Sequence, residues 1–238
     1  MARKPNMAET IQLTAEIVAL VDRVEPDPGL GPGMEEPTEA YYFELATELL
    51  KQHSPEELWV FAYGSLIWSP GFEVVEAIPS TAIGWHRSYC IELTRCRGTP
   101  QRQSLMLAID RGGSCRGVAL RLPKKDHFGQ LVTILRREID AIPATYIPRW
   151  ITIRTASGSQ LALTFVVDTK GPAYSGKLPL DHVAKTLAHS AGHLGSAAAY
   201  LHKTVSHIDA HGIRDRNLWQ IQRRVAEEIT ANSGKLSY

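Results

Sequence analysis

The apolar run Trp59-Val60-Phe61-Ala62 stops abruptly at Tyr63-Gly64-Ser65. A run this short, bounded by a turn residue, reads as a buried strand rather than a helix. A glycine at its end marks a sharp turn or a close approach of backbone to something else. Ser65 and Leu66 then carry backbone N–H groups with no ladder partner. Such donors can hold an anion or the oxygen of a reacting carbonyl. The pattern therefore places a candidate ligand cradle at the end of a core strand.

The rest of the chain narrows the class. At 238 residues, one compact domain with a terminal extension is expected. Hydrophobic residues make up 44% and charged residues 21%, the balance of a soluble globular protein with room for a substantial core. A net charge of +1 gives no reason to expect nucleic acid or an anionic membrane as partner. No apolar stretch is long enough to cross a bilayer, and the residues after Met1 are not a signal-peptide core. A cytoplasmic location is the expectation. Cys90, Cys96 and Cys115 are odd in number and show no Cys-x-x-Cys spacing, so they read as free thiols.

Residues 8–24 carry a helical stripe of Ile11, Leu13, Ile17, Leu20, Val21 and Val24. A Pro/Gly-rich linker follows at 26–37, then a helix from Thr38, its N-cap, to about Gln52. Residues 1–56 thus read as a helical N-terminal extension to a domain at 57–238. In that domain, strands are expected at 58–63, 73–77, 82–93, 104–110, 115–122, 148–155 and 160–167. Asp110-Arg111-Gly112-Gly113 reads as a hairpin turn. Helices are expected at 125–140, 178–191, 196–210 and 215–229. The fold class is α+β: a mixed or antiparallel sheet curled into a small barrel, with flanking helices and a helical C-terminus.

In the helix at 125–140, Phe128, Leu131, Leu135 and Glu138 follow the steps i, i+3, i+7 and i+10. Glu138 thereby shares a face with three large apolar residues, near the helix C-terminus. Burial and the macrodipole would both raise its pKa toward the range of a general base or acid. The alternative is an edge position with a surface ion pair, and spacing alone favours that alternative slightly.

Other candidates are weaker. His189 and His193, and His207 and His211, lie four apart, a zinc-compatible helical spacing. No third ligand stands at a telling distance, so surface or packing roles are expected and no metal is assigned. Cys96 lies between Arg95 and Arg97 but has no histidine motif beside it. Ser65 lacks the Gly-x-Ser-x-Gly context of a nucleophile. Arg97 is equally a carboxylate partner or a solvated charge.

Taken together, several segments resemble one family. Tyr63-Gly64-Ser65-Leu66 is similar to the signature loop of the γ-glutamylcyclotransferases, and Val60 through Trp68 to its ChaC branch, which acts on glutathione. Arg97-Gly98-Thr99-Pro100, Gly112 through Ala119, Arg137-Glu138 with Tyr146, Tyr174 through Pro179, and Gly195 with Tyr200-Leu201 follow in the expected order. The resemblance covers roughly residues 57–230. His193-Leu194 and Gln103-Ser104 depart from the family's usual residues.

By this resemblance Glu138 is the general base and acid of an internal cyclisation that releases 5-oxoproline and, from glutathione, cysteinylglycine. Tyr63, Gly64, Ser65, Leu66, Arg97 and Tyr174 bind the substrate, and no cofactor is required. The enzyme would be a lyase. Action on other γ-glutamyl amines or amino acids is the nearest alternative; a non-catalytic γ-glutamyl-binding or regulatory protein is the alternative of another class. Oligomeric state is not legible.

Overall fold

A computed structural model of the chain describes residues 10–233. Two compact units result. One comprises residues 30–91 and 107–176; the other comprises residues 10–29, 92–106 and 177–233. The strands are β1 (Trp59–Ala62), β2 (Glu76–Leu93), β3 (Ser104–Arg121), β4 (Tyr146–Thr155), β5 (Gly158–Val167), and the two-residue pair β6 (Ala191–Gly192) and β7 (Gly195–Ser196). The helices are α1 (Ala15–Ala19), α2 (Glu39–Gln52), α3 (His127–Glu138), α4 (Leu180–His189), α5 (Ala197–Ala210) and α6 (Arg216–Ser233).

The first unit is built on a closed barrel of strand order β1-β3-β2-β4-β5. β1 runs antiparallel to β3, with Ala62 opposite Val118, and parallel to β5, with Val60 opposite Leu163. Every residue of β1 is buried, as its unbroken apolar run requires. Phe61, Leu107, Ile109, Val118 and Phe165 are all buried, on the two faces of the barrel wall. α2 begins at the Thr38 cap, whose Oγ1 accepts the Tyr41 N–H at 3.3 Å. It packs on α3, and the Tyr42 hydroxyl donates to the Ile139 carbonyl at 2.8 Å. α3 starts at Asp126, which accepts the Gly129 N–H at 3.0 Å, and buries Leu131, Val132, Ile134 and Leu135.

The other unit is helical. α4 packs on α6, and α1 lies against α5 and α6. Gln222 is buried, and its Oε1 accepts the Gln12 and Leu13 N–H groups at 2.8 Å each, tying the N-terminal segment to α6. Ser196 caps α5 while its N–H and hydroxyl donate to Asp22 Oδ1 at 3.0 and 2.7 Å.

The barrel with flanking and C-terminal helices is the fold class the sequence implies, but several boundaries differ. The helix expected at 8–24 is helical only over Ala15–Ala19 within the described residues, and positions 8 and 9 lie outside them. Five residues are too few to hold a helix unaided; tertiary bonds such as those to Gln222 fix the surrounding chain instead. The separate strands at 73–77 and 82–93 merge into β2, and those at 104–110 and 115–122 merge into β3. The hairpin expected at Asp110–Gly113 does not form. Gly112 and Gly113 take φ of +100° and +69° inside β3, kinking it rather than reversing it. The His86 ring lies 3.1 Å from the Gly112 carbonyl, so the neighbouring strand passes the kink. A barrel needs long, bent strands, and glycine supplies the bend.

Close packing also dictates Gly117. A Cβ built there would stand 2.5 Å from the Ala62 carbonyl oxygen and 2.7 Å from the Phe61 ring. Gly117→Ala should therefore cost about 1–3 kcal/mol. The expected readout is a lower urea midpoint with an unchanged m-value, and an unchanged midpoint would contradict this packing.

Candidate active site

The chain leaves β1 at Ala62 and enters a single 3-10 turn over Ser65–Ile67. Tyr63, at the junction, is held at two points. Its hydroxyl donates to the Phe165 carbonyl on β5 at 2.8 Å, and its own carbonyl accepts Arg87 Nε from β2 at 2.8 Å. Both bonds are buried. Thr164 Oγ1 adds a third tie, donating to the Phe61 carbonyl at 3.0 Å. Beyond this anchor, Ile67 and Trp68 donate back to the Gly64 and Ser65 carbonyls at 3.0 and 3.1 Å, and Ser69 N–H to the Ser65 carbonyl at 2.8 Å. Among the described residues, no backbone hydrogen bond is donated by the N–H of Gly64, Ser65 or Leu66. These N–H groups are the ones that the strand-to-turn pattern offers as candidate donors to a ligand.

Glu138 closes α3. Its side chain is 12% exposed, and Oε1 accepts no hydrogen bond. Its ion-pair partner is Arg137 Nη1 at 3.5 Å. Burial pushes the carboxyl up to about 7, helped by the charge of Asp140 and opposed by Arg137. Of the two placements that spacing leaves open, the apolar face is the one observed and the slightly favoured edge position is not: Leu131 and Leu135 beside Glu138 are fully buried, while Phe128 at the other end of the stripe is exposed. Arg137 also connects Glu138 to the cradle. Its Nη2 donates to the Ser69 carbonyl at 3.3 Å, and Ser69 is bonded in turn to Ser65.

Tyr174 follows β5 in the same unit and pairs with Ile91 of β2. Its hydroxyl donates to Asp110 Oδ2 at 2.6 Å, and this bond to a carboxylate raises its pKa to about 12. The oxygen of Tyr174 therefore offers acceptor lone pairs. Tyr146 donates its hydroxyl to the Leu107 carbonyl at 3.1 Å.

Arg97 belongs to the helical unit, whereas Tyr63–Leu66, Glu138 and Tyr174 belong to the barrel unit. Its Nη1 donates to the Leu194 carbonyl and to the Ser196 carbonyl at 3.2 Å, and its guanidinium lies 5.5 Å from the Tyr200 ring centroid. These bonds hold the turn between β6 and β7. His189 pairs with Glu228 at 3.0 Å and His193 with Asp27 at 3.3 Å. Among the described residues no group of three or more metal-ligating side chains converges. Nor is any described helix long and apolar enough to cross a membrane.

Two contributors escape a reading of motifs, Arg87 and Asp110. Arg87 did carry a signal: Trp85, Arg87, Tyr89 and Ile91 alternate along β2, and all four are buried. A cation in an alternating apolar register is costly to bury and implies a partner.

The raised pKa of Glu138 has a consequence for stability. Between pH 4.5, its ordinary value, and about 7 the native carboxyl binds more protons than the unfolded one. Its contribution is fully present below pH 4.5 and lost as pH rises through about 7. The shift corresponds to about 3 kcal/mol. Replacing Glu138 with Gln should therefore make the protein more stable than wild type at pH 8 and reduce the fall in unfolding free energy between pH 5 and pH 8. Urea titrations at the two pH values check this; parallel pH dependences in both proteins would contradict it.

The sequence pattern of the ChaC-like protein family matches residues 58–228. The glutathione-specific γ-glutamylcyclotransferase of Escherichia coli K12 is 34% identical over 189 residues, covering 79% of this chain and 81% of that protein. The glutathione-specific γ-glutamylcyclotransferase of Schizosaccharomyces pombe is 25% identical over 206 residues, covering 76% and 98%. Among solved structures, a γ-glutamylcyclotransferase specific to glutathione from yeast shares the fold, with a TM-score of 0.65 at 19% identity over 73% of this chain and 97% of that one. The match spans the barrel, the cradle, Glu138 and most of α6, and by it the chain belongs to the ChaC-like protein family.

Proposed function

We propose that this protein is a glutathione-specific γ-glutamylcyclotransferase. The observation that carries the chemistry is Glu138: a carboxyl 12% exposed, raised to about 7, with an oxygen that accepts no hydrogen bond. A carboxyl with that pKa exchanges a proton at neutral pH in either direction, which is what a single residue needs to act first as base and then as acid.

The substrate's α-amine has a pKa of roughly 8 and is largely protonated at neutral pH. Glu138 takes its proton. The freed amine attacks the γ-carbonyl carbon of the same molecule, closing a five-membered ring and placing negative charge on the carbonyl oxygen. The carbon–nitrogen bond to cysteinylglycine then breaks as Glu138 returns the proton to the departing nitrogen, and the surplus proton of the ring nitrogen leaves with cysteinylglycine, whose amine departs as an ammonium. One bond forms, one breaks, and no water is consumed. Nucleophile and electrophile are tethered, so holding the glutamyl chain bent removes much of the entropic barrier.

Tyr63, Gly64, Ser65 and Leu66 form the part of the site that holds the γ-glutamyl group, with backbone N–H groups as donors. Tyr174 presents an oxygen whose own proton is directed to Asp110, suited to receive a donor such as the substrate's ammonium. Arg97 bonds the Leu194 and Ser196 carbonyls through Nη1, which accounts for it as a brace of the turn between β6 and β7.

Incubating the purified protein with glutathione should yield 5-oxoproline and cysteinylglycine in equal amounts. Product from γ-glutamyl-alanine but none from glutathione would reject the substrate assignment. Glu138→Gln should lower kcat about 10²–10⁴-fold, because an amide cannot accept the proton; full activity in that variant would reject the mechanism. In the wild type, kcat/KM should fall below a pH of about 7, where Glu138 becomes protonated. A profile flat from pH 6 to 8 would count against Glu138 as base.

A further inference from the structure

Arg87 is 3% exposed, on the buried face of β2 with Trp85 and Tyr89, and its Nε donates to the Tyr63 carbonyl at 2.8 Å. We propose that Arg87 is a positioning residue that sets the direction of the cradle's first donor, the Gly64 N–H, toward the oxygen that becomes negative during cyclisation.

The argument begins with the peptide between Tyr63 and Gly64. Among the described residues the cis peptide bond is Ile142–Pro143, so the 63–64 peptide is trans. In a planar trans peptide the C=O and N–H point in opposite directions. Drawing the Tyr63 oxygen onto Arg87 therefore turns the Gly64 N–H away from Arg87. A glycine at the following position lets this peptide rotate with little steric hindrance, so something must choose its orientation. Tyr63 cannot swing as a whole, because its hydroxyl is fixed on the Phe165 carbonyl. What is left to fix is the rotation of the peptide plane, and the Arg87 bond fixes it.

Charge makes the arrangement more than a tether. Taking a guanidinium out of water is expensive, and an apolar side chain at this inward position would avoid that expense. A cation bonded to the carbonyl also polarises the peptide and strengthens its N–H as a donor. The effect grows as negative charge builds on the acceptor, which occurs in the transition state rather than in the bound substrate. The signature is accordingly a loss in kcat rather than in KM.

This inference rests on the cyclotransferase reading, and the test separates the two. Arg87→Met keeps an unbranched apolar stem out to the position of Nε but removes the donor, the rest of the guanidinium and the charge; Arg87→Lys keeps the charge with a less directed donor. Per folded protein, Arg87→Met should lower kcat on glutathione about 10–100-fold with KM within about threefold, and Arg87→Lys should fall between it and wild type. Unchanged kcat in Arg87→Met would overturn the proposal, as would a rise in KM with kcat retained. If Arg87→Met does not fold, Arg87→Lys decides: a kcat equal to wild type overturns it. A wild type that leaves glutathione intact rejects the function, not the geometry. In that event the Gly64 amide resonance of ¹⁵N-labelled protein is the readout, and it should move in Arg87→Lys; an unmoved resonance overturns the proposal.

Discussion

One residue carries the join between scaffold and site. Tyr63 stands where the pairing of β1 ends, and two buried hydrogen bonds hold it, one through its hydroxyl to β5 and one through its carbonyl from Arg87 of β2. Each bond adds only about 1 kcal/mol net, somewhat more where the donor is charged. Their importance is geometric. They come from two different strands of a closed barrel, so the peptide plane they fix inherits the rigidity of the whole barrel. A loop tethered to one strand alone would lack that precision.

Glu138 imposes the opposing constraint. Its carboxyl is stable in the protonated form in its apolar surroundings, and each ionised molecule at neutral pH carries a desolvation penalty. The barrel core and the packing of α2 on α3 must offset it. Leu131, Ile134 and Leu135, all fully buried, are the residues of α3 that anchor it. Arg137 moderates the penalty and also bonds the Ser69 carbonyl, so the same side chain tunes the carboxyl and braces the segment after the cradle. A buried carboxyl of this kind lowers stability at neutral pH, where it is partly ionised.

Much of this was legible before any coordinates. Local signals were sufficient where the physics is local. The Thr38 cap predicted the start of α2, and the apolar run at 59–62 predicted a fully buried strand. The step pattern from Leu131 to Glu138 left a buried face and an edge position both open, and packing decided for the buried one. Strand continuity was less legible. Gly112-Gly113 carries a turn signal that a hairpin and a barrel kink have in common, and the choice between them depends on whether a neighbouring strand runs past it. The five-residue helix at Ala15 failed for a similar reason: a repeating apolar pattern was present, but tertiary bonds to Gln222 claimed the preceding residues. For Arg97, charge type alone left two roles open, and bonds to carbonyls distant in sequence now account for its Nη1.

By itself the sequence determined the types of most elements and the turn after β1, and it brought Glu138 to an apolar stripe without deciding between a buried and an edge position. These follow from side-chain periodicity and backbone sterics within a few residues. The tertiary structure decided how far Glu138 is desolvated, and so that its proton is exchangeable near pH 7. It also decided that Arg87 bonds the Tyr63 carbonyl and that the Tyr174 hydroxyl bonds Asp110. Both are matters of which groups meet across strands 24 and 64 residues apart, and only the closure of the barrel brings those partners within hydrogen-bonding distance.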